Sequence, residues 1–230
     1  MKSIEKNTVE SKNQLAQSEV FSTIGNPGAP VRVLVLGNSI LRHGPKADIG
    51  WFHDFGMAAS AVGRDFFHLL AEALGSDVFL AARQCAEWER NYAAAGILDD
   101  FSDCERFCAD IAVFRLGENV RITSSEQEFS EALRSFADKL TAPEGEWIFT
   151  TCFWENERVD ARIRGEAKRR CAPLVELNDL GESEENKAIG LFAHEGVANH
   201  PGDLGMRRIA DRILGELVPV VERIKKRKGR

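Results

Sequence analysis

Continuous apolar runs, rather than alternating ones, mark the strands of this chain. VRVLVLG (31–37), IAVFRLG (111–117) and WIFTTCF (147–153) are rich in β-branched and aromatic residues. Such runs predict strands buried on both faces, as in a parallel sheet. DVFLAA (77–82) predicts another strand, and APLVEL (172–177) a shorter fifth. Between the runs the period changes to three and four. Phe66, Leu69, Leu70, Ala73 and Leu74 share one face of a helix expected over 58–74. Phe129, Leu133, Phe136 and Leu140 do the same over 125–140. Helical material is expected around 86–108 and a charged helix over 155–170. A closing helix over 203–224 carries the stripe Met206, Ile209, Ile213, Leu217, Val220 and Ile224.

Strand and helix thus alternate at least four times, which predicts a three-layer α/β/α sandwich around a mostly parallel central sheet. Residues 1–30 read as a polar N-terminal arm ending in the turn-rich GNPGAP, 31–224 as one domain, and 225–230 as a basic tail, solvated and frayed. Residues 41–57 mix Gly, Pro, His and aromatic side chains without a period. They predict a long loop, and loops of that length in compact domains are often functional.

Composition and charge narrow the function classes. At 230 residues one domain can bury a core without a disulfide or metal staple. No apolar run is long enough to span a membrane, and the polar first residues lack the apolar core of a leader, so a cytoplasmic protein with no membrane partner is expected. The last six residues hold five of the 30 basic side chains, leaving 25 to face 36 acidic ones. An acidic body argues against nucleic acid as the main partner. The five cysteines, Cys85, Cys104, Cys108, Cys152 and Cys171, are odd in number and form no CxxC, which suits a reducing compartment. Cys104 and Cys108 have the spacing of one helical face. GxGxxG, GxxxxGK[ST] and HExxH are all missing, so no cofactor and no metal is expected.

Open α/β sheets bind ligands beyond the carboxyl ends of their strands. That rule selects GNSI after 31–37, RQCAEWERN (83–91), GENV after 111–117, and AHEGVANHPGD (193–203), and it nominates Ser39, Asn119 and His200 as neighbours. Ser39 suits a nucleophile if a base activates its hydroxyl, and equally a helix N-cap. His200 is held extended by Pro201, with Asp203 placed to cap the closing helix. Asn119 can aim an amide donor at a developing oxyanion or bond its own loop. His43, His53 and His68 read as structural or exposed, His43 being the one near Ser39. The loop GWFHDFGMAAS (50–60), Trp88 and Trp154 could each line a pocket or simply pack.

In this order, Gly37-Asn38-Ser39-Ile40, Gly117-Glu118-Asn119 and His200-Pro201-Gly202-Asp203 resemble the blocks of the SGNH, or GDSL-type, hydrolase superfamily of esterases and lipases. The resemblance spans about residues 31–220. It implies the flavodoxin-like sandwich of that superfamily and a serine esterase acting on a small-molecule ester without a cofactor. Ser39 would attack the acyl carbonyl, and His200 would serve as general base, then acid. The Ser39 backbone N–H and the Asn119 amide, set by the Gly37-Asn38 and Gly117 turns, would bind the oxyanion. Three departures stand out. Asn38 replaces the family's aspartate. RQCAEWERN holds no second-block glycine, so a backbone N–H near Ala86 or Glu87 is the candidate donor. Val197 occupies the position of the family's acid, which leaves either Glu195 or a Ser–His dyad held by a backbone carbonyl. The expected substrate is a short-acyl, acetyl-like ester on a carbohydrate or similar small molecule. The competing reading is a binding module of the same fold without a competent triad, and the oligomeric state stays open.

Overall fold

The computed structural model describes residues 20–123 and 125–229. Among them, β1 (Phe21–Ile24), β2 (Val31–Gly37), β3 (Val78–Gln84), β4 (Ala109–Arg115), β5 (Thr141–Thr150) and β6 (Leu174–Val175) form one sheet in the order β1-β3-β2-β4-β5-β6. β2 through β6 pair in parallel, and β1 joins the edge antiparallel to β3. β2 lies inside the sheet and shows why its run is continuous. Val31, Val33 and Val35 enter one core with α1 (Phe66–Leu74) and α8 (Asp203–Lys228). Leu34 and Leu36 enter the other, with α2 (Ala86–Asn91), α3 (Ser102–Phe107), α4 (Glu126–Leu140) and α5 (Glu157–Arg170). Successive side chains point to opposite faces, so a strand covered on both sides needs apolar residues at every position. The expected three-layer sandwich is the fold observed. Two short helices, α6 (Asn178–Glu182) and α7 (Glu195–Ala198), lie between β6 and α8. Among the described residues no helix is long and apolar enough to cross a membrane.

Several expected boundaries move. Residues 1–19 of the expected arm lie outside the described residues, while Phe21–Ile24 is not arm but strand, pairing Phe21 with Arg83 and Ile24 with Leu80. The helix expected over 58–74 begins only at Phe66, because the Asp65 carboxylate caps it by accepting from the His68 backbone N–H at 2.9 Å. The helical stretch expected over 86–108 breaks at Gly96, which adopts φ +77°. Cys108 ends α3 with φ +53° and is exposed, whereas Cys104 is buried, so the two do not share a face. β5 starts at Thr141, earlier than the apolar run suggests. The basic tail is helix to Lys228: Lys225 pairs with Asp77 and Lys228 with Asp110, each at 2.6 Å.

The loop before α8 is clamped rather than loose. Ala188 donates its backbone N–H to His200 O at 2.9 Å, and Gly202 donates to Asn186 O at 3.0 Å. A Cβ on Gly205, in the first turn of α8, would lie 2.1 Å from that same Asn186 carbonyl. Gly205→Ala is therefore expected to cost about 1–3 kcal/mol through forced backbone displacement, read as a lower Tm. Gly165→Ala, in α5 where an added Cβ meets nothing within 4 Å, should instead be neutral or stabilising by up to about 1 kcal/mol. Equal Tm values for the two variants would contradict the close approach.

Candidate active site

The site begins where β2 runs out. A Cβ on Gly37 would meet Leu41 Cβ at 2.7 Å and Arg115 O at 3.0 Å, so only glycine lets the chain turn there. Asn38 O then accepts from the backbone N–H groups of Leu41 and Arg42, both at 3.0 Å. This tight turn sends the Asn38 side chain fully into the interior and leaves Ser39 half-buried at the rim. Ser39 is thus not a helix N-cap.

His200 arrives from the other end of the chain. Its Nε2 lies 2.8 Å from Ser39 Oγ, and its Nδ1 lies 2.6 Å from Gly196 O. A carbonyl only accepts, so Nδ1 carries the proton and Nε2 is left to accept from the serine hydroxyl. Glu195, the expected carboxylate, is exposed. The α7 turn instead aims the carbonyl of the next residue, Gly196, at the ring. Val197 is wholly buried and serves packing. Asp203 also departs from expectation: α8 is entered from Gly202 without a side-chain cap, and the Asp203 carboxylate accepts from Ser60 N at 2.8 Å and Ser60 Oγ at 2.6 Å.

His200 is half-buried beside an aromatic ring. The Trp154 ring meets it edge to face at 5.0 Å between centroids. Burial lowers its pKa to about 4, with a smaller push from His43, against the opposing pull of the Gly196 carbonyl and Glu118. The imidazole is therefore neutral at pH 7 and able to accept a proton. His43 is held by Gly44 O at 2.6 Å from Nδ1, and its own pKa is lowered, first by burial. The 50–60 loop mostly packs. Trp51 is fully buried, donates to His43 O and contacts His53, Phe55 and Phe192, while Phe52 is exposed. Trp88 is core, stacked on Phe136 at 4.2 Å.

Below Ser39 lies a polar layer. Arg115, with no exposure, donates from Nη1 to Asn38 Oδ1 at 3.1 Å and to Glu118 Oε2 at 3.2 Å, and from Nη2 to Glu118 Oε1. Asn38 Nδ2 donates to Glu118 Oε2 at 2.5 Å and to Glu89 Oε1 at 2.9 Å. Fully buried Glu89 also accepts from Gly117 N and from Asn119 Nδ2, both at 2.5 Å. Burial, then the charge of Glu118, push the Glu89 pKa up, while its three N–H donors oppose that shift. Gly117 fits because its φ is +134° and an added Cβ would strike Cys152 Sγ at 2.6 Å. Asn119 thus reaches this layer, joined to Asn38 through one carboxyl group. The Ala86 N–H expected to face an oxyanion is instead engaged by Gln84 Oε1 at 3.0 Å.

Glu89 was not legible as a site residue, since AEWERN does not separate the buried Glu89 from the exposed Glu87. Arg115 did leave a signal: a charge inside a buried strand must find partners. The same layer explains Asn38. An aspartate there would bring a third carboxylate against Glu89 and Glu118 and lose both donated bonds. Asn38→Asp is expected to destabilise by about 3–5 kcal/mol, as unmatched buried charge does. The folded state would take up a proton more readily than the unfolded one, so the deficit should shrink as pH falls. Denaturant melts across pH check this, and an unchanged midpoint would refute the charge assignment.

No family model matches the chain, and no match to it in sequence was found among curated proteins. Solved structures do match. An esterase, EstA, from a Pseudoalteromonas species is 10% identical with a TM-score of 0.51, covering 83% of this chain and 98% of its own. A member of the lipolytic G-D-S-L family from Veillonella parvula is 14% identical at TM-score 0.50, covering 81% and 98%. A family two carbohydrate esterase from Cellvibrio japonicus is 14% identical at TM-score 0.52, covering 84% and 62%. The chain has the mostly parallel α/β fold of the GDSL-type, or SGNH, esterases and lipases.

Proposed function

We propose that the protein is a serine esterase acting on small carboxylic esters, with Ser39 as nucleophile and His200 as its base. The observation that carries this reading is the 2.8 Å contact between Ser39 Oγ and His200 Nε2, with Nδ1 tied to Gly196 O. In the forward step Nε2 takes the serine proton as Oγ attacks the acyl carbon. The developing oxyanion is met by the Ser39 backbone N–H and by the N–H of Asn119 Nδ2 not given to Glu89. The imidazolium then protonates the departing alcohol, and water repeats the sequence on the acyl-enzyme. A backbone carbonyl fixes the tautomer as a carboxylate would, but stabilises the imidazolium less. The likeness in fold to a carbohydrate esterase supports a short acyl group on a sugar as substrate.

A binding module without turnover is the second reading, favoured by the engaged Ala86 N–H and by the lack of a carboxylate at Nδ1. Reactivity separates the two. Ser39 should be labelled by a fluorophosphonate and should hydrolyse p-nitrophenyl acetate. Ser39→Ala and His200→Ala should each abolish turnover while keeping the melting profile. Asn119→Ala should lower kcat by about 10²–10³-fold, and Glu195→Gln should leave it unchanged because its carboxylate does not hold the ring. Wild-type turnover equal to that of Ser39→Ala, with no labelling, would refute the esterase.

The pH profile follows from His200. The base is lost when the ring is protonated, so kcat/KM should stay flat through neutral pH and fall as pH drops through about 4 rather than through the usual 6.5. A limb near 6.5 in the free enzyme would refute the lowering of the His200 pKa by burial.

A further inference from the structure

We propose that Glu89 is a positioning residue for the oxyanion site: its carboxyl group fixes which way the Asn119 amide faces. This rests on the esterase reading above. The geometry is specific. Glu89 Oε2 takes one N–H of Asn119 Nδ2 at 2.5 Å, and Oε1 takes Gly117 N at 2.5 Å and Asn38 Nδ2 at 2.9 Å. Gly117 and Asn119 belong to the turn after β4, and Asn38 directly precedes Ser39. One buried carboxyl group therefore ties the oxyanion donor to the nucleophile's own turn.

The consequence lies in amide chemistry. The side chain of Asn119 offers two donors on one atom and an acceptor on the other, and rotation by half a turn exchanges them. An oxyanion needs a donor, so the flipped amide would present a carbonyl oxygen where negative charge develops. Both Glu89 oxygens accept from N–H donors, Oε1 from Gly117 and Asn38 and Oε2 from Asn119, and a carboxyl group accepting in this way binds the Nδ2 end and rejects the Oδ1 end. Among the described residues Glu89 makes no ion pair, and the Arg115 Nη donors go to Asn38 and Glu118. The segment after β3, where no glycine supplies an extra N–H, contributes through Glu89 instead, by holding the donor of another loop.

Glu89→Gln keeps the size and removes this selectivity. Its single oxygen best serves Gly117 and Asn38, which sets its amide NH2 against Asn119 Nδ2 and turns the Asn119 amide over. The experiment measures kcat and KM on p-nitrophenyl acetate for wild type, E89Q, N119A and the double variant, with a melt for each. E89Q should lower kcat about 10²-fold, near N119A, with KM little changed. The double variant should be no slower than N119A, because the two residues act as one unit. A merely structural role would instead lower Tm and multiply the two losses. Should E89Q fail to fold, E89D reads the same: its shorter reach releases Asn119, and kcat must fall without multiplying into N119A. Ser39-dependent turnover untouched by E89Q, or fully multiplicative losses, overturns this inference alone. Absence of Ser39-dependent turnover in the wild type overturns the esterase reading and this inference with it.

Discussion

A guanidinium with no access to water closes the carboxyl end of β4, and much of the site follows from matching it. Stripping an arginine of solvent costs several kcal/mol unless its donors are met. Arg115 gives Nη1 and Nη2 to Glu118 and Asn38, its Nε being left without a hydrogen-bond partner among the described residues, and the Phe153 backbone N–H turns onto Glu118 as well, at 2.8 Å. Glu89 extends the layer to Gly117 and Asn119. Three turns, those after β2, β4 and β5, are thereby locked at the one edge of the sheet where Ser39 and His200 meet. The layer carries one cation for two carboxyl groups, which accounts for an amide rather than an acid at position 38.

The Ser39–His200 pair is held differently. The fold places a main-chain carbonyl where a carboxylate would have served, and the ring it orients is kept neutral by burial. Both choices keep negative charge away from the hydroxyl, next to a layer already rich in carboxyl groups. The Trp154 ring lies edge to face with the imidazole, and burial lowers the pKa of the neighbouring His43 as well.

The layers and the order of elements were legible because continuous apolar runs and three-to-four spacing are imposed by packing on two faces. Ser39, Asn119 and His200 were legible as positions because strand ends in a parallel sheet converge. Boundaries were less so. Phe21–Ile24 carries no strong strand pattern and pairs on one edge only, while the basic end of α8 is helical because Lys225 and Lys228 find acidic partners far away in sequence. The orienting group of His200 was hidden for a plain reason: every residue has a carbonyl, and only the path of α7 decides which one points at the ring. Glu89 was hidden because a six-residue helix is too short to show which face is inward.

α8 joins both ends of the sheet. Its entry holds His200 beside Ser39, and its far end reaches Asp77 before β3, Asp110 at the start of β4 and the Pro30 carbonyl before β2. Ser39 and His200 are 161 positions apart, and no local structure brings them together. Without α8 in place, His200 would not stand beside Ser39. Under the esterase reading, Ser39 therefore gains its base only when α8 docks, so activation of the hydroxyl is a property of the completed tertiary structure and of no local segment.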